Sequence, residues 1–185
     1  IPSSRAGHSS VSCSVPALQG SSLQGGSVSG AWPRSLYIYG GNEFEAANNE
    51  LLVLALDELV WTQLRHPVGS DLALRVGHSS LIIGDRMFIF GGRNPLTQPL
   101  GTSFDGCNNC DVVDIRRSVE TGQVVIIKED VEFGNPSAMT RSGHSACVYN
   151  NRIVVFGGMV LSEEEEDEAT AVYSSDIVAI SLFAV

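Results

Sequence analysis

The chain has 185 residues, 43% of them hydrophobic and 17% charged, and carries a formal net charge of −10. The apolar share suffices to bury a core, which excludes wholesale disorder, and no apolar run approaches the roughly 18 residues of a membrane-spanning helix. The charge speaks against non-specific nucleic-acid binding, which needs a basic face.

The first element is a polar lead-in, Arg5-Ala6-Gly7-His8-Ser9-Ser10. The residues before it lack the basic start and apolar stretch of a signal peptide. There is no initiator Met, and the chain ends on the apolar Ser181-Leu182-Phe183-Ala184-Val185. The expectation is a segment of a longer protein or a processed product. After the lead-in comes a tract at 14–33, rich in Gly, Ser and Gln and carrying Trp32. Then an apolar strand, Leu36-Tyr37-Ile38-Tyr39, runs into the pair Gly40-Gly41. A polar turn, Asn48-Asn49-Glu50, opens a second apolar stretch, Leu51-Leu52-Val53-Leu54, and Val60-Trp61-Thr62-Gln63-Leu64 reads as a further strand. The stretch from Glu50 to Leu59 could mimic a helix, but its sister segments are plainly strands.

The same order then returns twice. Arg75-Val76-Gly77-His78-Ser79-Ser80 precedes Met87-Phe88-Ile89-Phe90-Gly91-Gly92, and Arg141-Ser142-Gly143-His144-Ser145-Ala146 precedes Ile153-Val154-Val155-Phe156-Gly157-Gly158. From His to the first Gly is 13 residues in copies two and three and 32 in copy one, so copy one carries a 19-residue insertion at about 14–33. The third block recurs as Asn108-Asn109-Cys110-Asp111-Val112-Val113 and as Ser174-Ser175-Asp176-Ile177-Val178-Ala179-Ile180, and setting Asn108-Asn109 on Asn48-Asn49 aligns the copies. In copy two a Glu120-Thr121-Gly122 turn leads to Val124-Val125-Ile126-Ile127 as the fourth strand; in copy three the chain stops first. Four short strands per unit with a repeated Gly motif mark a propeller blade. A Gly pair after a buried strand permits a turn that a Cβ would obstruct. The nearly all-apolar tract before it suits a strand covered on both faces by neighbouring blades.

These residues resemble kelch repeats. The Gly-Gly pair closing an apolar strand, the Arg-x-Gly-His-Ser lead-in and Trp61, nine residues after Leu52, carry the resemblance, which covers nearly the whole chain. Val replaces the Trp in copy two, and copy three lacks it. The implied fold is an all-β kelch-type propeller of about three four-stranded blades, incomplete as it stands. Repeat one spans about 1–70 with its insertion at 14–33, repeat two about 71–136, and repeat three, truncated, about 137–185. A closed propeller needs at least four blades, so the others are expected from the rest of the chain or from a partner.

The repeat motif itself is expected to be structural: Gly7, His8, Gly40, Gly41, Trp61, Gly77, His78, Gly91, Gly92, Gly143, His144, Gly157 and Gly158. One His per blade lies around a ring rather than at one point, so a satisfied structural His bonded to backbone is expected, not a metal ligand or general base. His66, before Pro67, reads as a surface-loop residue. Cys107 and Cys110 have zinc-ligand spacing, but a structural site wants four ligands and no second pair exists. Cys13 and Cys147 align with apolar positions and read as small core hydrophobes. No catalytic, cofactor-binding or metal-binding residue is assigned, and no cofactor is expected.

The loops are where function is expected. Trp32 in the insertion is a candidate binding anchor. Glu163, Glu164, Glu165, Glu166, Asp167 and Glu168 form a candidate docking patch for a basic partner; without these six, 15 acids face 11 bases, so the acidity is local. The expected function is a non-catalytic protein–protein interaction scaffold or adaptor presenting loops to a protein partner, with no nucleic acid and no membrane insertion. The resemblance implies a eukaryotic cytoplasmic setting, among it cytoskeletal association. The alternatives are a structural subunit of a large cytoskeletal assembly, a regulatory propeller fused to an enzyme such as a phosphatase, and, further off, a metal-dependent propeller enzyme.

Overall fold

A computed structural model describes residues 2–13, 34–43, 46–68, 72–97, 110–127, 140–150, 152–161 and 171–181. Blade one consists of β1 (Ser9–Cys13), β2 (Ser35–Tyr39), β5 (Leu51–Ala55) and β6 (Val60–Leu64), paired in that order. A small hairpin of β3 (Asn42–Glu43) and β4 (Ala46–Ala47) leaves it just after Gly40-Gly41. All pairs are antiparallel, with Ser9 opposite Tyr39, Tyr39 opposite Leu51, and Leu51 opposite Leu64.

Blade two repeats the pattern with β7 (Val76–Ile83), β8 (Arg86–Arg93), β9 (Cys110–Asp114) and β10 (Ile126–Ile127), again adjacent in chain order. Blade three shows β11 (Ser145–Tyr149), β12 (Arg152–Phe156) and β15 (Ile177–Ser181), with a side hairpin of β13 (Met159–Leu161) and β14 (Ala171–Tyr173) after its own glycine pair. The architecture is that of an incomplete all-β propeller. The stretch after Glu50 is strand β5, not helix.

Two cores hold the blades together. Along β8 the side chains alternate: Met87 and Ile89 face blade one, while Phe88 and Phe90 face blade three. The first core joins Tyr37, Tyr39, Leu51, Val53 and Leu64 to Met87, Ile89 and Val113. The second joins Leu81, Phe88, Phe90 and Val112 to Ile153, Val155 and Ile180. Each blade is too thin to bury its own faces, so stacking supplies the apolar contact that one sheet lacks.

The structure departs from the sequence expectations in blade two. The turn expected at Glu120-Thr121-Gly122 is the end of a helix, α1 (Ile115–Thr121). Asp114 caps its start by accepting from the Arg117 amide at 2.9 Å, and Gly122 ends it at φ +68. Ile115 is buried in the first core. Val124, expected to open the fourth strand, instead donates its amide to the Arg65 carbonyl of blade one at 2.8 Å, and only Ile126–Ile127 pairs with β9. The register also shifts the third block by one residue. Cys110 lies opposite Phe90, as Leu51 lies opposite Tyr39, so the setting of Asn108 on Asn48 is one position off.

Candidate functional site

The chemistry-bearing side chains gather at the junctions between blades. The carbonyl of Arg75 accepts the Gly41 amide of blade one at 3.2 Å, and the carbonyl of Arg141 accepts the Gly92 amide of blade two at 2.8 Å. The lead-in glycines form a second line of contacts: Gly77 donates to the Gly7 carbonyl at 3.0 Å, and Gly143 donates to that of Gly77 at 2.8 Å. Each junction therefore reads the backbone of the preceding blade with backbone of the next. At Gly91 no side chain fits: its φ is +66, and a Cβ would stand 2.6 Å from both the Arg141 carbonyl and the His144 ring.

The arginines of the lead-in clamp their own blades. Arg75, with no exposed surface, donates to the Gly91 carbonyl at 2.9 Å and to Asp111 Oδ2 at 2.8 Å. Arg141 donates to the Gly157 carbonyl at 2.8 Å. Arg5 donates to the Gly40 carbonyl at 3.3 Å and to Glu50 Oε2 at 3.1 Å. The arginines belong to the repeated lead-in, whereas their acid partners, Glu50 and Asp111, do not stand out in the sequence. A signal for the arginines existed, since Arg recurs three residues before each His.

The three motif histidines occupy three situations. His78 is buried, with Nε2 2.7 Å from Ser9 Oγ of blade one and its ring edge-on to Tyr39 at 5.2 Å. His144 is buried and stacked on Phe90 at 5.3 Å, yet among the described residues neither of its ring nitrogens has a well-formed hydrogen bond. His8 is exposed, with no described blade before it. Ser9 Oγ also bonds Ser80 Oγ, whereas copy three has Ala146 where Ser80 stands.

A serine hydroxyl beside a His nitrogen is the contact from which nucleophilic catalysis starts. Here burial, then the nearby Arg75, His144 and His8, push the His78 pKa down to about 3. Such a ring is too weak a base at neutral pH to take the Ser9 proton. Burial, then Arg141, lowers His144 to about 4, against a weaker opposing pull from the Arg141 backbone. Both rings stay neutral in the folded chain at neutral pH, while the unfolded chain titrates them near 6.5. The folded values are depressed, so the stability is whole above about pH 6.5 and drains away as pH falls toward about 4 and then about 3. By pH 5 each ring is expected to cost ~2 kcal/mol. Urea midpoints at pH 7.5 and 5 check this, and His144→Phe, which keeps the stacking and removes the proton site, is expected to shrink the difference by about half.

The cysteines offer no competing chemistry among the described residues. Burial raises the Cys110 thiol to about 12, so it stays protonated. Cys107 lies outside the described residues. Cys13 packs half-buried against the first core, but Cys147 is exposed, correcting its assignment as a core residue. Its counterpart Leu81 is buried only because blade three covers it, and no described blade covers Cys147. His66 lies in the loop that follows β6, half-buried, with its Nε2 2.8 Å from the Asn49 carbonyl. Trp61 is half-buried, opposite Leu54 on the outer face of blade one. Trp32 and the run from Glu163 to Glu168 lie outside the described residues. The described strands β13 and β14 flank that run, and Tyr173 on β14 is 90% exposed.

Repeated antiparallel blades joined by one backbone-reading motif define a repeat propeller. The family model described as the KLHDC2/KLHL20/DRC7 Kelch-repeats domain matches residues 26–182. The chain belongs to the kelch-repeat family. It is 32% identical over 125 residues to Kelch domain-containing protein 3 of Rattus norvegicus, covering 67% of this chain and 29% of that protein. It is 29% identical over 133 residues to Tip elongation aberrant protein 1 of Schizosaccharomyces pombe, covering 69% of this chain and 10% of that protein. It is 27% identical over 122 residues to the Rho GTPase-activating protein gacHH of Dictyostelium discoideum, covering 66% of this chain and 7% of that protein. The chain thus spans less than a third of the curated relatives named. No helix among its described residues is long and apolar enough to cross a membrane.

Proposed function

We propose that the chain is a non-catalytic interaction module, part of a kelch propeller whose loops bind a protein partner. The observation that carries this reading is the contrast between constant junctions and variable excursions. The Gly-Gly pairs of blades one and two are held by the same contacts, and blade three repeats the pair, yet the segment after each pair differs. It is a short hairpin of β3 and β4 in blade one, the long stretch from Asn94 to Asn109 in blade two, and β13 and β14 bracketing six acids in blade three. A regular scaffold with variable loops is how recognition surfaces are built. The histidines support the same reading, since they are shared out one to a blade and those at the two junctions are buried as neutral rings.

In this reading Trp32 and Glu163 to Glu168 supply an aromatic anchor and an acidic patch for a basic partner surface, in a cytoplasmic setting. The repeat-motif glycines and histidines, with Trp61, hold the blades. The remaining blades come from further chain or from a partner. A second reading, a place in a cytoskeletal or growth-directing assembly, draws support from the likeness to a tip elongation protein and to a Rho GTPase-activating protein. The test is affinity capture with the intact chain and with a chain whose 14–33, 94–109 and 162–170 segments are replaced by short Gly-Ser links. Loss of specific partners at unchanged thermal stability is expected; retention of every partner overturns the loop-binding reading. Stoichiometric metal in the purified protein, lost on replacing His78 or Cys110, would instead support an enzyme.

A further inference from the structure

The two described junctions share their backbone bonds and differ in their side chains. Between blades one and two, Ser9 Oγ lies 2.7 Å from His78 Nε2 and also bonds Ser80 Oγ. The Tyr39 hydroxyl crosses the same junction to the Ala73 carbonyl. Between blades two and three the corresponding positions are Ser79, His144, Ala146 and Phe90, with Ser79 opposite Phe90 as Ser9 is opposite Tyr39. Ala146 has no hydroxyl to hold Ser79 as Ser80 holds Ser9, and Phe90 has none to send across. Ser142 Oγ adds one bond of its own, to the Val76 carbonyl, at a longer 3.4 Å.

The consequence falls on His144. Its ring is 8% exposed, and among the described residues both of its nitrogens lack a well-formed bond, whereas in His78 only Nδ1 lacks one. A neutral imidazole carries one donor and one acceptor, and a protonated one carries two donors. The charged groups at this junction offer those donors no acceptor. Arg141, on the same lead-in, opposes a positive ring. From blade two come Arg75, bonded to the Gly91 carbonyl and to Asp111, then His78, and the Cys110 thiol, which stays protonated. From blade three, Asp176 acts on Arg141. Among the described residues no carboxylate acts on the His144 ring itself. The closed junction therefore has no place for an imidazolium. Opening it returns the ring to water, where it titrates near about 6.5.

We infer that the junction of blades two and three is an acid-sensitive seam, opening on mild acidification while the junction of blades one and two stays closed. The seam is whole above about pH 6.5 and loosens as the pH falls below it. His78 obeys the same electrostatics. Its junction, however, must also break the Ser9, Ser80 and Tyr39 hydroxyl bonds before the ring reaches water, so it opens less often at any pH. Blade three carries β13 and β14, so opening moves that excursion relative to β3 and β4 of blade one. The inference holds whether or not the excursions bind a partner.

Amide exchange followed by NMR at pH 7.5 and pH 5 tests this, with each rate expressed as protection relative to an unstructured chain at the same pH. The Gly92 and Gly143 amides report on the seam, and the Gly41 and Gly77 amides on the other junction. Gly92 and Gly143 are expected to be the less protected pair at both pH values, and their protection is expected to fall about 30-fold between them. His144→Phe, which keeps an aromatic ring against Phe90, is expected to abolish that fall. Ala146→Ser, which restores the hydroxyl pair, is expected to raise the protection of Gly92 and Gly143 about fivefold at pH 7.5, and Ser80→Ala to lower that of Gly41 and Gly77 by as much. Equal protection of all four amides at pH 5, or a fall that survives His144→Phe, overturns the proposal.

Discussion

Gly91→Val is expected to destabilise the chain by about 4 kcal/mol or more, the sum of backbone strain and overpacking at one point. The added side chain would have to adopt a φ of +66 while its Cβ stood 2.6 Å from the Arg141 carbonyl and the His144 ring. The carbonyl is backbone held by the Gly92 amide at 2.8 Å, so it cannot move aside without breaking the junction. Gly84→Ala is the matching control. Gly84 has nearly the same φ, +63, but nothing lies within 4 Å of an added Cβ, so about 1 kcal/mol of strain is expected there. Urea unfolding of the two variants separates conformational strain from the close approach of blades. Equal losses would show that the glycine pair serves only as a turn.

Arg75→Ala is expected to cost about 3–5 kcal/mol. The guanidinium has no exposed surface and joins two groups of its own blade, the Gly91 carbonyl and the Asp111 carboxylate. Its loss leaves a buried acceptor without that donor and a mostly buried carboxylate without its counterion. Asp111→Asn alone keeps the size and removes the charge, and the double variant is expected to lose much less than the sum of the singles. A double-mutant cycle from urea midpoints measures that coupling. A loss below about 1 kcal/mol for Arg75→Ala would mean that the clamp carries no more energy than a surface ion pair.

The blades were legible because their pattern is periodic and redundant. Three copies of Arg-x-Gly-His and three apolar tracts ending in Gly-Gly fix one another's alignment, and both faces of β8 being buried explains why Met87 to Phe90 contains no polar residue. Helix α1 escaped because seven residues give too short a window for a 3.6-residue period. Its cap, Asp114, also falls at the end of a strand. The one-residue offset at Cys110 was hidden because asparagine pairs suggest turns but do not count strand residues. Cys147 aligns with Leu81, which blade three covers, but no described blade covers Cys147 in turn. The Arg–acid pairs join residues 36 and 45 positions apart, which no local spacing reveals. The candidate partner-binding residues were legible only as composition, an aromatic within a Gly- and Ser-rich stretch and a block of acids.

In the proposed reading the excursions after the glycine pairs bind protein while the junctions hold the blades. It is tested most directly by amide hydrogen exchange on the chain alone and on the chain with a captured partner. Slowed exchange is expected in strands β3, β4, β13 and β14 on partner binding, with the Gly77, Gly92 and Gly143 amides equally protected in both states. Partner protection confined to the outer strands and α1, with β3, β4, β13 and β14 unchanged, would contradict it.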